Sequence, residues 1–83
     1  MAFILVVDDE LSMREFLKIL LEKEGYQVRT AAEGQSALQL AGQHSFDLVI
    51  SDIRMPGMSG LELLTQLKEM QPDIGVIMIT AFA

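Results

Sequence analysis

Three aspartates carry the chemistry this sequence offers: the adjacent pair Asp8 and Asp9, and Asp52. The pair follows the apolar run Phe3-Ile4-Leu5-Val6-Val7, and Asp52 follows Leu48-Val49-Ile50-Ser51. If both runs are neighbouring buried parallel strands, the acids gather at the strands' C-terminal ends, where open α/β sheets place their sites. Clustered carboxylates repel one another and are costly to bury. A divalent cation is the simplest compensation, and ligation by oxygen alone suits Mg²⁺, which keeps several waters and takes few carboxylates. A metal beside a carboxylate also prepares that carboxylate to accept a phosphoryl group.

The elements that must position these acids alternate strand with helix. Phe3 to Val7 is apolar on both faces, so it reads as a central strand. Ser12-Met13-Arg14-Glu15 has the form of a capping box, with Ser12 as N-cap. It opens a helix with Met13, Phe16, Leu17, Leu20 and Leu21 at helical spacing and Gly25 as its C′ residue. Tyr26 to Ala31 alternates apolar with polar residues and reads as an edge strand. Glu33-Gly34 reads as a turn, and Ser36 to Gln43 as a second, weaker helix. The third strand is expected over Asp47 to Ser51, with Asp52 opening a loop through Arg54, Met55, Pro56, Gly57 and Met58. Ser59-Gly60-Leu61-Glu62 is a second capping box, for a helix running to about Met70. Gly75 to Thr80 is the fourth strand, apolar on both faces. This alternation predicts an α/β fold, a flavodoxin-like parallel sheet in the order 2-1-3-4. In that order the first and third strands lie side by side, as the acid cluster requires.

The whole chain is 83 residues long, within the range of one domain. A chain of that length buries roughly 60–65% of its unfolded surface, so its stability is marginal. A formal net charge of −6 argues against nonspecific binding to nucleic acid or anionic membrane. The absence of cysteine excludes disulfides, thiolate chemistry and zinc sites of the usual kind. The start Met1-Ala2-Phe3 lacks a basic flank, and its apolar run stops at Asp8. A cytoplasmic protein is the expectation.

With these residues in order, the chain resembles the receiver domain of bacterial two-component response regulators. Three pieces carry the resemblance: Leu5-Val6-Val7-Asp8-Asp9-Glu10, then Asp47 through Gly60, then Val76-Ile77-Met78-Ile79-Thr80-Ala81. The second is most similar to receivers of nitrogen-regulator-class transcription activators. The resemblance implies that Asp52 is the phosphoacceptor, fed by a sensor histidine kinase. It implies that Asp9 ligates Mg²⁺ directly, that Asp8 acts mainly through a bound water, and that the backbone carbonyl of Arg54 completes the protein's ligand set. It makes Thr80 the switch hydroxyl, with Ala81 small enough to admit the phosphoryl group. The implied role is a signalling domain acting on an output such as transcription, with no free-standing enzyme activity.

Receivers also have a fifth strand and a final helix, with a lysine at the end of that strand, and this sequence stops at Ala83. Residues 1–83 therefore read as one truncated receiver domain. Four strands span roughly 19 Å, while one helix covers about 10 Å. Half of one sheet face, around Ile77, is expected to be bare. The expectation is a homo-oligomer, formed through the fourth strand and the under-covered face. An alternative is a fragment that binds metal or self-associates but cannot switch. A third reading, a hydrolase using an aspartyl-phosphate, expects a second acid two residues after the nucleophile, where Arg54 stands.

Overall fold

The structure is a computed structural model and describes residues 2–79. In chain order the elements are β1 (Phe3–Val7), α1 (Leu11–Lys23), β2 (Gln27–Ala31), α2 (Gly34–Gln43), β3 (Leu48–Asp52), α3 (Gly60–Met70) and β4 (Gly75–Ile79). The four strands form one parallel sheet in the order β2-β1-β3-β4. This is the predicted flavodoxin-like arrangement. β1 is central, and Ile4 to Val7 are buried on both faces, as an apolar run without alternation requires.

Helices divide between the two faces as right-handed crossovers dictate. On one side Leu17 and Leu21 of α1 pack over Ile4, Val6, Val28 and Ile50. On the other, α2 and α3 enclose the larger core, where Leu5, Val49, Leu63 and Leu67 are fully buried. Two local signals act as expected. At the C-terminus of α1, Gly25 N–H donates to Glu22 O at 3.0 Å and Tyr26 N–H to Leu21 O at 3.1 Å, with Gly25 at φ +96°. That is a Schellman ending, which glycine adopts without a β-carbon clash. At the N-terminus of α3, Ser59 Oγ accepts from Glu62 N–H while Glu62 Oε1 accepts from Ser59 N–H, the predicted capping box.

Other expectations are corrected. Ser12 does not cap α1: Glu10 does, with no side-chain cap bond. The helix starts earlier because Arg14 N–H already reaches Glu10 O at 3.1 Å, which puts Ser12 inside it. α2 begins at Gly34, two residues before the predicted Ser36. β3 is shifted one residue, to Leu48–Asp52. Asp47 instead clamps the start of β1, its Oδ2 accepting Phe3 N–H at 2.7 Å and its N–H donating to Phe3 O at 2.8 Å. His44 is half-buried, edge-on to Phe3 and Phe46.

Phe16 and Leu20, expected on the inward face of α1, are exposed. α1 has no fully buried residue, and on its side of the sheet Ile77 is 49% exposed. The cause is width, because one helix lies over a sheet about twice as wide as itself.

Candidate functional site

The site lies at the C-terminal ends of β1 and β3, which pair directly from Ile4 opposite Leu48 to Val7 opposite Ser51. That register sets Asp8 and Asp52 at the same end of adjacent strands. One carboxylate oxygen from each of Asp8, Asp9 and Asp52 lies within 4.8 Å of the other two. Asp8 and Asp52 are buried, at 4% and 7% exposure, and Asp9 is exposed. Ligands at about 2.1 Å around an octahedral Mg²⁺ stand at most roughly 4.2 Å apart. The three oxygens are thus close to the spacing such an ion would require, and a hard cation matches an all-oxygen donor set.

Asp8 is held through both its backbone and its carboxylate. Its N–H continues the sheet to Ala31 O at 3.1 Å, and its carbonyl accepts from Arg14 Nη1 at 2.8 Å. Its Oδ1 accepts Glu10 N–H at 2.9 Å. Burial pushes the Asp8 carboxyl above its ordinary value, and the charges of Asp52 and Asp9 push the same way. The Glu10 N–H and the Arg14 guanidinium pull it down, without cancelling the rise. A cation at this site would offset both the burial of the Asp8 carboxyl and the repulsion from its neighbours.

Asp52 closes β3, where it stands opposite Ile79 of β4. Its Oδ1 accepts Arg54 N–H at 3.1 Å. The loop that follows is tied at its root, with Ile53 N–H donating to Ile79 O at 3.0 Å and Gly60 N–H to Ile53 O at 2.9 Å. At its tip Gly57 has φ +77°, a left-handed conformation that suits glycine. Met55 is buried beneath the loop and Met58 packs against the same core. The Arg54 side chain is exposed.

The structure brings together Asp8, Asp9 and Asp52 and places Arg54 beside them. Thr80 and Ala81 lie outside the described residues. Arg14 was not singled out by sequence reasoning, although its place in the first turn after the acids is a usable signal. A concavity of about 410 Å³ lies elsewhere, lined by Phe3, Glu22, Tyr26 and Arg29 at the opposite ends of β1 and β2, and contains none of the acids. No helix among the described residues is long and apolar enough to cross a membrane.

A parallel 2-1-3-4 sheet with an acid cluster at the ends of its first and third strands defines a class, and comparison with known proteins agrees with it. Residues 4–83 match the family model of the response regulator receiver domain. This chain belongs to that family, the receiver modules of two-component signalling systems. It is 42% identical over 79 residues to sporulation initiation phosphotransferase F of Bacillus subtilis, covering 95% of this chain and 64% of that protein. It is 44% identical over 80 residues to the transcriptional regulatory protein ZraR of Klebsiella oxytoca, covering 96% of this chain but 18% of that one. The response regulator TrrA of Thermotoga maritima, solved in complex with Mg²⁺-BeF, superposes with a TM-score of 0.93 at 46% identity. That match covers all of this chain and 72% of TrrA, which has also been solved in complex with the histidine kinase ThkA. The chain thus spans less than two thirds of the relatives' own length in both sequence matches.

Proposed function

We propose that residues 1–83 act as a phosphoacceptor module in which Asp52 takes a phosphoryl group from a phosphohistidine of a sensor kinase. The observation that carries this reading is the convergence of Asp8, Asp9 and Asp52 oxygens within 4.8 Å. An oxygen of Asp52 attacks phosphorus as the P–N bond of the donor breaks, and the electron pair of that bond leaves with the imidazole, which then takes a proton. Asp9, Asp52 and the Arg54 backbone carbonyl would hold Mg²⁺, with Asp8 acting mainly through a bound water. When bound, Mg²⁺ supplies positive charge to the phosphoryl oxygens. Thr80 is the proposed switch hydroxyl. The complexes of TrrA with Mg²⁺-BeF and with a kinase support both the cofactor and the partner. The phosphorylated state would regulate an output in the cytoplasm, transcription being the reading that the ZraR similarity favours.

Intact mass after incubation with Mg²⁺ and a small acyl phosphate tests the proposal. The parent should gain one phosphoryl group and Asp52→Asn none. Equal gain in both, or none in a folded parent, rejects it.

A second reading, self-association, rests on the exposed Phe16, Leu20 and Ile77 on the α1 side of the sheet. Sedimentation velocity at high concentration decides it. A species above monomer mass that Ile77→Lys dissociates supports a homo-oligomer, and a monomer throughout discards it.

A further inference from the structure

We infer that Met58 is a positioning residue for the acidic site, seated in the side-chain space that Gly34 leaves empty. This rests on the metal-binding reading above. Among the described residues the backbone hydrogen bonds of the loop from Ile53 to Ser59 tie it to the sheet at its root, Met55 is buried in the core, and Pro56 and Gly57 at its tip are exposed. Met58 returns the loop to the scaffold. A β-carbon on Gly34 would lie 2.7 Å from Met58 Sδ, 2.9 Å from its Cβ and 3.1 Å from its Cγ. A side chain at position 34 and the present place of Met58 therefore exclude each other.

The glycine is not required by its own backbone, since among the described residues only Gly25 and Gly57 have positive φ. Nor is α2 uniformly crowded, because a β-carbon on Gly42 of the same helix would make only an ordinary 3.9 Å contact with Met70 Cε. Gln66 Nε2 of α3 lies 3.9 Å from the Met58 sulfur, so the thioether is contacted from both helices on this face. Met58 thus holds the loop between α2 and α3. Four residues upstream, Arg54 donates its N–H to Asp52 Oδ1 and carries the carbonyl assigned to the metal. Pushing Met58 off its seat moves that carbonyl relative to Asp52, which ends β3, and to Asp8, whose N–H is bonded to Ala31 O of β2.

The test is Mg²⁺ affinity, together with the amide NMR shift of Arg54 in metal-free protein, measured for the parent and five variants. Gly34→Ala should weaken Mg²⁺ binding about tenfold, as is typical when support behind a metal ligand is lost, and should move the Arg54 amide. Gly42→Ala should leave both within twofold or unshifted. Met58→Leu should bind like the parent, while Met58→Ala should bind more weakly. In the double variant Gly34→Ala with Met58→Ala, the two losses should be far from additive, because they remove the same seat. Parent-like Mg²⁺ binding by Gly34→Ala, or additive losses, would overturn the inference. If Gly34→Ala does not fold, equal affinities for Met58→Ala and Met58→Leu overturn it instead. A parent that binds no Mg²⁺ removes the metal-site reading itself, and that result precedes any variant.

Discussion

Gly60 stands against the main chain of Asp52. A β-carbon on Gly60 would collide with the Asp52 carbonyl oxygen and come within 2.9 Å of Ile53 Cα. The first residue of α3 is thereby pressed onto the backbone of the proposed phosphoacceptor, and its N–H closes the loop on Ile53 O. Gly60→Ala is expected to cost about 1–3 kcal/mol through overpacking. It should also slow acyl-phosphate labelling of Asp52, because backbone rather than a flexible side chain must yield. Urea unfolding and intact mass check the two effects, and a stable variant with the parent's labelling rate would discard the argument.

Gly25→Ala is the contrasting case. The strain at φ +96° should cost about 1 kcal/mol. Open space surrounds a β-carbon there, and the residue sits at the far end of the sheet from the acids. Its Mg²⁺ affinity should match the parent's once both are folded, which titration at low temperature measures.

Asp8 makes stability depend on pH in a stated direction. Its carboxyl titrates above the ordinary 3.8 in the folded chain. The folded state therefore holds the proton more tightly than the unfolded state. The contribution of Asp8 is fully present below the ordinary value and is lost as pH rises through the raised folded value. Asp8→Asn removes this dependence. In metal-free protein, the difference in urea midpoint between variant and parent should favour the variant more at pH 7 than at pH 3.5. A difference that does not change with pH would contradict the assignment. Arg14→Met should raise the Asp8 carboxyl further, since the guanidinium lowers it.

Leu63→Ala should cost about 3 kcal/mol, because the side chain is fully buried in the larger core between sheet and helices. For a chain of this size that is a large share of total stability. A far-ultraviolet thermal melt should show a transition lowered by well over 10 °C.

Much of the fold and the candidate site could be read directly. Phe3 to Val7 announced a central strand through unbroken apolarity, and Gly25 and Ser59-Gly60-Leu61-Glu62 announced helix ends through local hydrogen bonds. Asp8, Asp9 and Asp52 were legible because each follows an apolar run. The Ser12 cap failed because a local pattern competed with a backbone bond that begins at Glu10. Phe16 and Leu20 failed because helical spacing names an apolar face but not the width of the sheet beneath it.

The sequence by itself determined which segments become strands and helices, their order, and which acids could meet. Those properties depend on side-chain periodicity and on caps that act within a few residues. The tertiary structure alone decided that Gly34 seats Met58, that Gly60 presses on Asp52 and that Arg14 reaches the Asp8 carbonyl. Gly34 and Met58 lie 24 residues apart in the chain, and the reason for the glycine is a neighbour that only folding supplies. Close approach is a property of how elements pack, and no local pattern encodes it.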